Sequence, residues 1–194
     1  MKIMKPVGEE KRVYSGEIID VINQDHSDGN ITVTFEKAVR SPGVRLFIIN
    51  KENKILLTRE YRNELDEYDF RLPGGKVFDT KLERDEADDS KIEDYAGKAA
   101  KIECEEETGL IANELTLFGT SHAGGTVEWD LYYFLVESFS ISEDGQKLGT
   151  GEDITTSWYT MKELIELCNN GNVREDRSLG MIFKFLLERG ELKY

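Results

Sequence analysis

The order of hydrophobic periodicities along the chain predicts an α+β fold: a mixed β-sheet sandwiched between helices, preceded by an arm of β-strands. Three observations carry this. Strand-like runs bounded by Gly, Asn and Pro fill much of the first 75 residues and resume after residue 115. One long helical pattern interrupts them, and two more close the chain. At 39% hydrophobic residues over 194, there is enough apolar side chain for one core of ordinary size. The expected division is a strand arm over residues 1–40 and a main domain over 41–194.

Each element has a local reason. In the arm, Arg12–Val21 and Ile31–Val39 alternate with the period of strands, and Asp25–Asn30 supplies turn chemistry between them. Val44–Ile49 and Ile55–Arg59 are apolar runs joined by Asn50-Lys-Glu-Asn-Lys, which reads as a hairpin. Phe70-Arg-Leu-Pro-Gly-Gly-Lys-Val breaks the strand pattern at Pro-Gly-Gly. A helix is expected over Tyr95–Thr108, ended by Gly109 as a left-handed cap. Strands resume at Leu115–Gly119, Leu131–Val136 and Ile154–Tyr159, and helical spacing returns at Met161–Cys168 and Ser178–Arg189. No internal repeat is present.

Composition excludes several functions. The formal charge of −14 has the wrong sign for a protein that grips long nucleic acid, which must neutralise phosphates with Lys and Arg. A small anion remains a suitable ligand where metal ions and a few arginines offset the local field. No run approaches the ~18 apolar residues of a membrane span, and the first residues lack the apolar region of a signal peptide. The two cysteines, Cys104 and Cys168, fall in helical patterns and read as buried free thiols. A cytoplasmic protein is the simplest expectation.

The most informative segment is Ala99-Ala-Lys-Ile-Glu-Cys-Glu-Glu-Glu-Thr-Gly-Leu110. On a helix, Glu103, Glu106 and Glu107 sit at i, i+3 and i+4 and share one face, while Glu105 points away. Like charges at this spacing cost about 0.2–0.5 kcal/mol per pair. Carboxylates near a helix C-terminus also oppose its dipole, at about 0.3–1 kcal/mol each. A hard divalent cation would reverse the sign of that cost. A solvated acidic face is the ordinary alternative, so the choice rests on the surrounding residues.

Those residues resemble the Nudix hydrolases, whose signature is G-x5-E-x7-R-E-U-x-E-E-x-G-U with U a bulky apolar residue. Gly75 in Leu72-Pro-Gly-Gly matches the opening glycine. Glu103, Glu106, Glu107, Gly109 and Leu110 match the closing half, with Cys104 at an apolar position. The departures are specific. Ile102 stands where the signature has arginine, and Asp94 where counting back places its first glutamate. Gly75 and Ile102 are 27 residues apart against 14 in the signature, so 13 are inserted. In the family that arginine helps orient the catalytic carboxylates; Lys98 and Lys101 are candidate substitutes, although an ammonium lacks the planar fork. The stretch Asp79–Asp94 holds eight acidic and three basic residues and reads as a solvated loop with at most a helical turn, a lid being the alternative.

From Val39 to Arg189 the chain is similar to the ADP-ribose pyrophosphatase branch, with nucleotide-sugar hydrolases sharing most of the same matches. Leu57-Thr-Arg-Glu-Tyr-Arg62 looks like that branch's strand end, and Gly151-Glu-Asp-Ile-Thr-Thr-Ser-Trp-Tyr like its closing strand. The resemblance implies metal-dependent cleavage of a diphosphate linkage, ADP-ribose giving AMP and ribose 5-phosphate, or another nucleotide-sugar such as GDP-mannose or UDP-glucose. It implies Mg²⁺, with Mn²⁺ as the alternative, held by Glu103, Glu106, Glu107 and the Gly75 carbonyl. Arg59, Arg62 and Arg71 are candidate substrate contacts, although each also reads as a surface or paired charge. The general base is expected from the loop Ser142–Asp153, with Glu152 first and Glu143 and Asp153 as alternatives; otherwise Glu106 or Glu107 takes the role. The arm resembles the one through which such enzymes form homodimers. His122 is a candidate substrate contact and His26 a solvated turn residue, while Trp129, Tyr132 and Tyr133 either stack on a base or pack. The rival readings are a catalytically weakened Nudix ligand-binding protein, motivated by Ile102, and a nucleic-acid-directed Nudix enzyme, disfavoured by charge.

Overall fold

The structure is a computed structural model describing residues 3–63 and 66–192. The arm is a three-stranded antiparallel meander: β1 (Lys5–Ser15), β2 (Ile19–Ser27) and β3 (Thr32–Arg40). The segment Arg12–Val21, expected as one strand, is the end of β1, a turn and the start of β2. Gly16 closes that turn, its N–H donating to Ile19 O at 3.0 Å. The next turn begins at Asp28 rather than Asp25, because the Asp28 carboxylate accepts the N–H groups of Asn30 and Ile31 at 2.8 and 3.0 Å. His26 therefore lies within β2, edge-on to Phe35 at 4.8 Å, and not in a turn.

The main domain follows: β4 (Gly43–Ile48), β5 (Lys54–Arg62), β6 (Glu67–Arg71), α1 (Lys81–Glu86), α2 (Ile92–Thr108), β7 (Leu110–Ala112), β8 (Thr116–Ser121), β9 (Val127–Glu128), β10 (Leu131–Val136), β11 (Phe139–Ile141), β12 (Ile154–Thr160), α3 (Met161–Asn169) and α4 (Asp176–Glu188). One sheet has the order β4-β10-β8, with β10 parallel to β4 and antiparallel to β8. A second has the order β12-β5-β6. β4 and β5 thus belong to different sheets, and the expected hairpin is reduced to a turn at Asn50–Asn53 and one bridge between Ile49 and Ile55. β9 pairs with β3 and joins the arm to the domain.

Both faces of the central strands are covered, which explains their unbroken apolar runs. Val44, Leu46 and Ile48 of β4, with Tyr132, Phe134 and Val136 of β10, meet Ala96, Ala99, Ala100 and Cys104 of α2. The alternate residues Phe47, Ile49, Leu131 and Tyr133 meet Met161 and Leu164 of α3 and Ile182, Phe185 and Leu186 of α4. Phe47 stacks on Phe185 at 4.5 Å. Small residues on α2 let it lie close to the sheet. Cys104 is buried and Cys168 half-buried, both as free thiols, and burial pushes each thiol up to about 11. No described helix is long and apolar enough to cross a membrane.

The inserted stretch is more ordered than expected. Thr80 and Glu83 form a reciprocal capping box that starts α1, and Asp88 caps a short 3-10 turn at Asp89–Lys91. Lys81 reaches Asp20 at 2.5 Å, and Arg12 makes two hydrogen bonds of 3.2 Å to Asp85, so the insertion is tied to the arm.

Candidate active site

The Pro-Gly-Gly break after β6 is what brings the backbone to the acidic helix. Leu46 and Val44 of β4 donate to Pro73 O and Gly75 O, each at 2.9 Å, so the break runs beside β4. Gly74 has φ 141, and a Cβ there would stand 2.2 Å from Val44 O. A Cβ on Gly75 would stand 2.0 Å from Glu103 Oε1. Only glycines fit between the strand and α2. Glu107 then accepts the Gly74 N–H at 2.7 Å, which fixes the helix against the break.

Glu103 and Glu107 open into a cavity of about 350 Å³ that also carries Glu60, Glu152, Arg62 and Arg71. The acids perturb one another. Burial first, then the charges of Glu106 and Glu152, push the Glu103 carboxyl up to about 7. Burial raises Glu107 to about 8, although the Gly74 N–H and Arg45 work in the other direction. Glu106 is exposed and lines a neighbouring cavity that shares Glu103 and is walled by the insertion.

These residues fit a hard divalent cation by three tests. The donors are all oxygen. The two buried carboxylates repel each other's charge, which a cation relieves. The missing side chain of Gly75 lets the Glu103 carboxylate lie directly against the backbone, beside a Gly75 carbonyl that keeps a second lone pair after accepting from Val44. Among the described residues, no three acid, histidine or cysteine groups are already drawn together as a ligand set. Glu107 is turned instead to the Gly74 N–H.

The structure sorts the other expected residues. Arg62 and Arg71 face the cavity, each also paired with an acid: Arg62 with Glu60 at 2.7 Å and Arg71 with the fully buried Asp69 at 2.6 Å. The Arg62 Nε is buried without a hydrogen-bond partner. Arg59, on the alternate face of β5, lies over the Tyr68 ring at 3.6 Å and apart from the cavity. Glu152 lines the cavity and accepts the Gly149 N–H at 2.7 Å; Glu143 and Asp153 do not line it. The loop that carries Glu152 is anchored at its start. Ser142 and Lys147 donate backbone N–H groups to Gly109 O and Glu106 O, at 2.8 and 2.9 Å, satisfying carbonyls at the end of α2. Glu105 points away as expected and holds the same loop through Ser142 and Lys147, both at 2.9 Å.

His122 pairs with Asp130 at 2.7 Å on the surface, and Tyr132 and Tyr133 are core residues. Ile102 is 56% exposed, and Lys98 lies over Tyr95 rather than at the acids. The cation that acts on the acids is Arg45 of β4, which sequence reasoning missed. Its guanidinium donates to Gly74 O at 3.2 Å and forms a bidentate pair with Glu175, at 2.6 and 2.8 Å. Burial favours protonation of Glu175, but the bonds and charge of Arg45 prevail and hold its carboxyl down at about 2. A charged residue inside the apolar run Gly43–Ile49 was the available signal. Glu60 had none beyond its place between Arg59 and Arg62.

Comparison with known proteins agrees with this geometry. The NUDIX domain model matches residues 39–179. An ADP-ribose pyrophosphatase of Bacillus subtilis (strain 168) is 25% identical over 170 residues, covering 87% of this chain and 85% of the relative. A methanol dehydrogenase activator of Bacillus methanolicus is 21% identical over 171 residues, with 87% and 85% covered. A solved structure described as an ADP compounds hydrolase shares the fold at a TM-score of 0.70 and 16% identity, covering 97% of each chain. The match spans both the acidic helix and the glycine break, and on it the chain belongs to the NUDIX family, as a Nudix hydrolase near the ADP-ribose pyrophosphatase branch.

Proposed function

We propose that the protein hydrolyses the diphosphate linkage of ADP-ribose to AMP and ribose 5-phosphate, using Mg²⁺, with Mn²⁺ as the alternative ion. The carrying observation is one cavity in which Glu103, Glu107 and Glu152 meet Arg62 and Arg71 beside the Gly74–Gly75 break. The relative named as an ADP-ribose pyrophosphatase supports the choice of substrate. Nudix hydrolases generally use divalent metals. Glu103, Glu106, Glu107 and the Gly75 carbonyl are the groups that would hold the ion here. When bound, it supplies charge neutralisation for the diphosphate and lowers the pKa of water.

The chain's own residues do the rest. Arg62 and Arg71, both lining the cavity, donate charge-assisted hydrogen bonds to phosphate oxygens. Glu152 takes a proton from the attacking water as its oxygen bonds to phosphorus. The bond from that phosphorus to the bridging oxygen breaks, and the second phosphate leaves with the electron pair.

The arm, residues 1–40, serves as a dimerisation element of the domain 41–194. Val7, Val13, Tyr14, Val33 and Phe35 are exposed on its strands, an apolar surface a second copy would cover. A set of nucleoside diphosphate derivatives, including ADP-ribose, GDP-mannose and UDP-glucose, assayed for released phosphomonoester with Mg²⁺, tests the substrate. ADP-ribose is expected to give the highest kcat/KM; preference for another member refutes that choice, and no turnover of any member favours a ligand-binding role.

A further inference from the structure

The cavity that carries the carboxylates also carries an arginine, Arg40, to which no acid among the described residues is hydrogen-bonded. Arg40, the last residue of β3, places its guanidinium 3.9 Å from the Trp129 ring centroid. Arg177, in the first turn of α4, lies over the same side chain at 4.2 Å and donates to Trp129 O and Ser121 O. Arg40 Nε and Arg177 Nη2 are both buried with no hydrogen-bond partner. Glu175, whose charge Arg40 feels, is already held by Arg45 through two bonds of 2.6 and 2.8 Å. Three guanidiniums therefore gather around one carboxylate.

In a protein of net charge −14 this cluster is conspicuous. An unsatisfied buried donor costs about 1–3 kcal/mol, and more when charged. Two such donors on neighbouring arginines leave the cluster short of acceptors, and Arg40 itself lines the cavity, where an anion can reach its guanidinium. Trp129 holds the Arg40 guanidinium in place without one, since a guanidinium over an indole is held by about 0.5–2 kcal/mol. Arg40 and Trp129 line the same cavity as Glu103, Glu107 and Glu152. An anion entering this cavity would thus share one compartment with a preorganised planar donor.

We propose that Arg40, held against Trp129, is an anion-binding subsite that takes a phosphoryl oxygen of the substrate diphosphate. The identity of that diphosphate rests on the function proposed above; the anion site itself does not. Arg40 would bind the ground state and the transition state alike, so it sets affinity rather than the rate of bond cleavage.

Inorganic pyrophosphate is the probe, titrated into the full-length protein in EDTA by calorimetry and by tryptophan emission. Wild type is expected to bind at millimolar concentrations with a change in Trp129 emission, read in a Trp158→Phe background. Arg40→Gln should weaken binding by about 10- to 100-fold, the factor of one charge-assisted hydrogen bond, and abolish the emission change. Arg40→Lys, which keeps the charge without the fork, should fall between the two. With ADP-ribose and Mg²⁺, Arg40→Gln should raise KM and leave kcat nearly unchanged. Equal pyrophosphate affinity in wild type and Arg40→Gln, or no binding by wild type, overturns the subsite. Failure to hydrolyse ADP-ribose with Arg40-dependent pyrophosphate binding intact overturns the substrate instead.

Discussion

Replacing Glu175 with glutamine isolates the buried pair on which Arg45 depends. Arg45 and Glu175 are 8% and 11% exposed, and together they tie β4 to the start of α4. Removing one member of such a pair costs about 3–5 kcal/mol, because the other charge is left uncompensated. Proton linkage gives a similar figure: a carboxyl lowered from its ordinary 4.5 to about 2 carries about 3 kcal/mol of stability. Its folded value is the lower one, so this stability is present above the ordinary value and is lost as pH falls through about 2. Urea unfolding of wild type and Glu175→Gln should therefore show a gap of about 3–5 kcal/mol near neutral pH that narrows steadily below about pH 5. The double variant Arg45→Met/Glu175→Leu should regain most of the loss, since apolar replacements of a buried pair are often neutral. A Glu175→Gln variant as stable as wild type at neutral pH refutes this reasoning, and so does a gap that is the same in acid.

Further outcomes follow from the cavity and the arm. Gly75→Ala puts a methyl group where the Glu103 carboxylate stands, 2.0 Å from Oε1, and should lower kcat/KM by about 10²-fold, the scale of a displaced catalytic group; activity equal to wild type would show that Glu103 is not needed there. Glu152→Gln should lower kcat by on the order of 10²–10⁴ with KM little changed, while Glu143→Gln stays near wild type. The reverse pattern would move the base to Glu143, and two silent variants would move it to Glu106 or Glu107. Light scattering should find the intact chain dimeric and a chain beginning near Val39 monomeric; an intact chain that is monomeric at micromolar concentration contradicts the role of the arm.

The layers of the fold were legible because the chain's apolar spacing is simple where burial is two-sided. Leu131–Val136 is a strand at both expected ends, and Gly109, with φ 69, caps the helix as its position predicts. The arm was harder. Gly16 sits inside an otherwise alternating run, and only its hydrogen bond to Ile19 reveals the turn. The separation of β4 from β5 is a tertiary choice, made by β10 and β12 taking their ladder positions, and no local pattern records it. At the site, Glu103 and Glu107 were readable from spacing, since helix geometry fixes their shared face. Arg40 and Arg45 were not assigned, because their roles come from partners more than 80 residues away in sequence: Trp129 for one and Glu175 for the other. Arg59 and Arg62 looked equivalent on paper, yet strand alternation sends only Arg62 into the cavity.

The central claim is that the carboxylates of α2 support metal-dependent cleavage of a diphosphate. It is tested most directly by following AMP and ribose 5-phosphate released from ADP-ribose by wild type with Mg²⁺, wild type in EDTA, and Glu107→Gln with Mg²⁺. Both products should appear in equal amounts with Mg²⁺ alone, and both should fall to near background in EDTA and in Glu107→Gln, with the variant's circular dichroism unchanged. Undiminished release in EDTA, or full activity in Glu107→Gln, would contradict it.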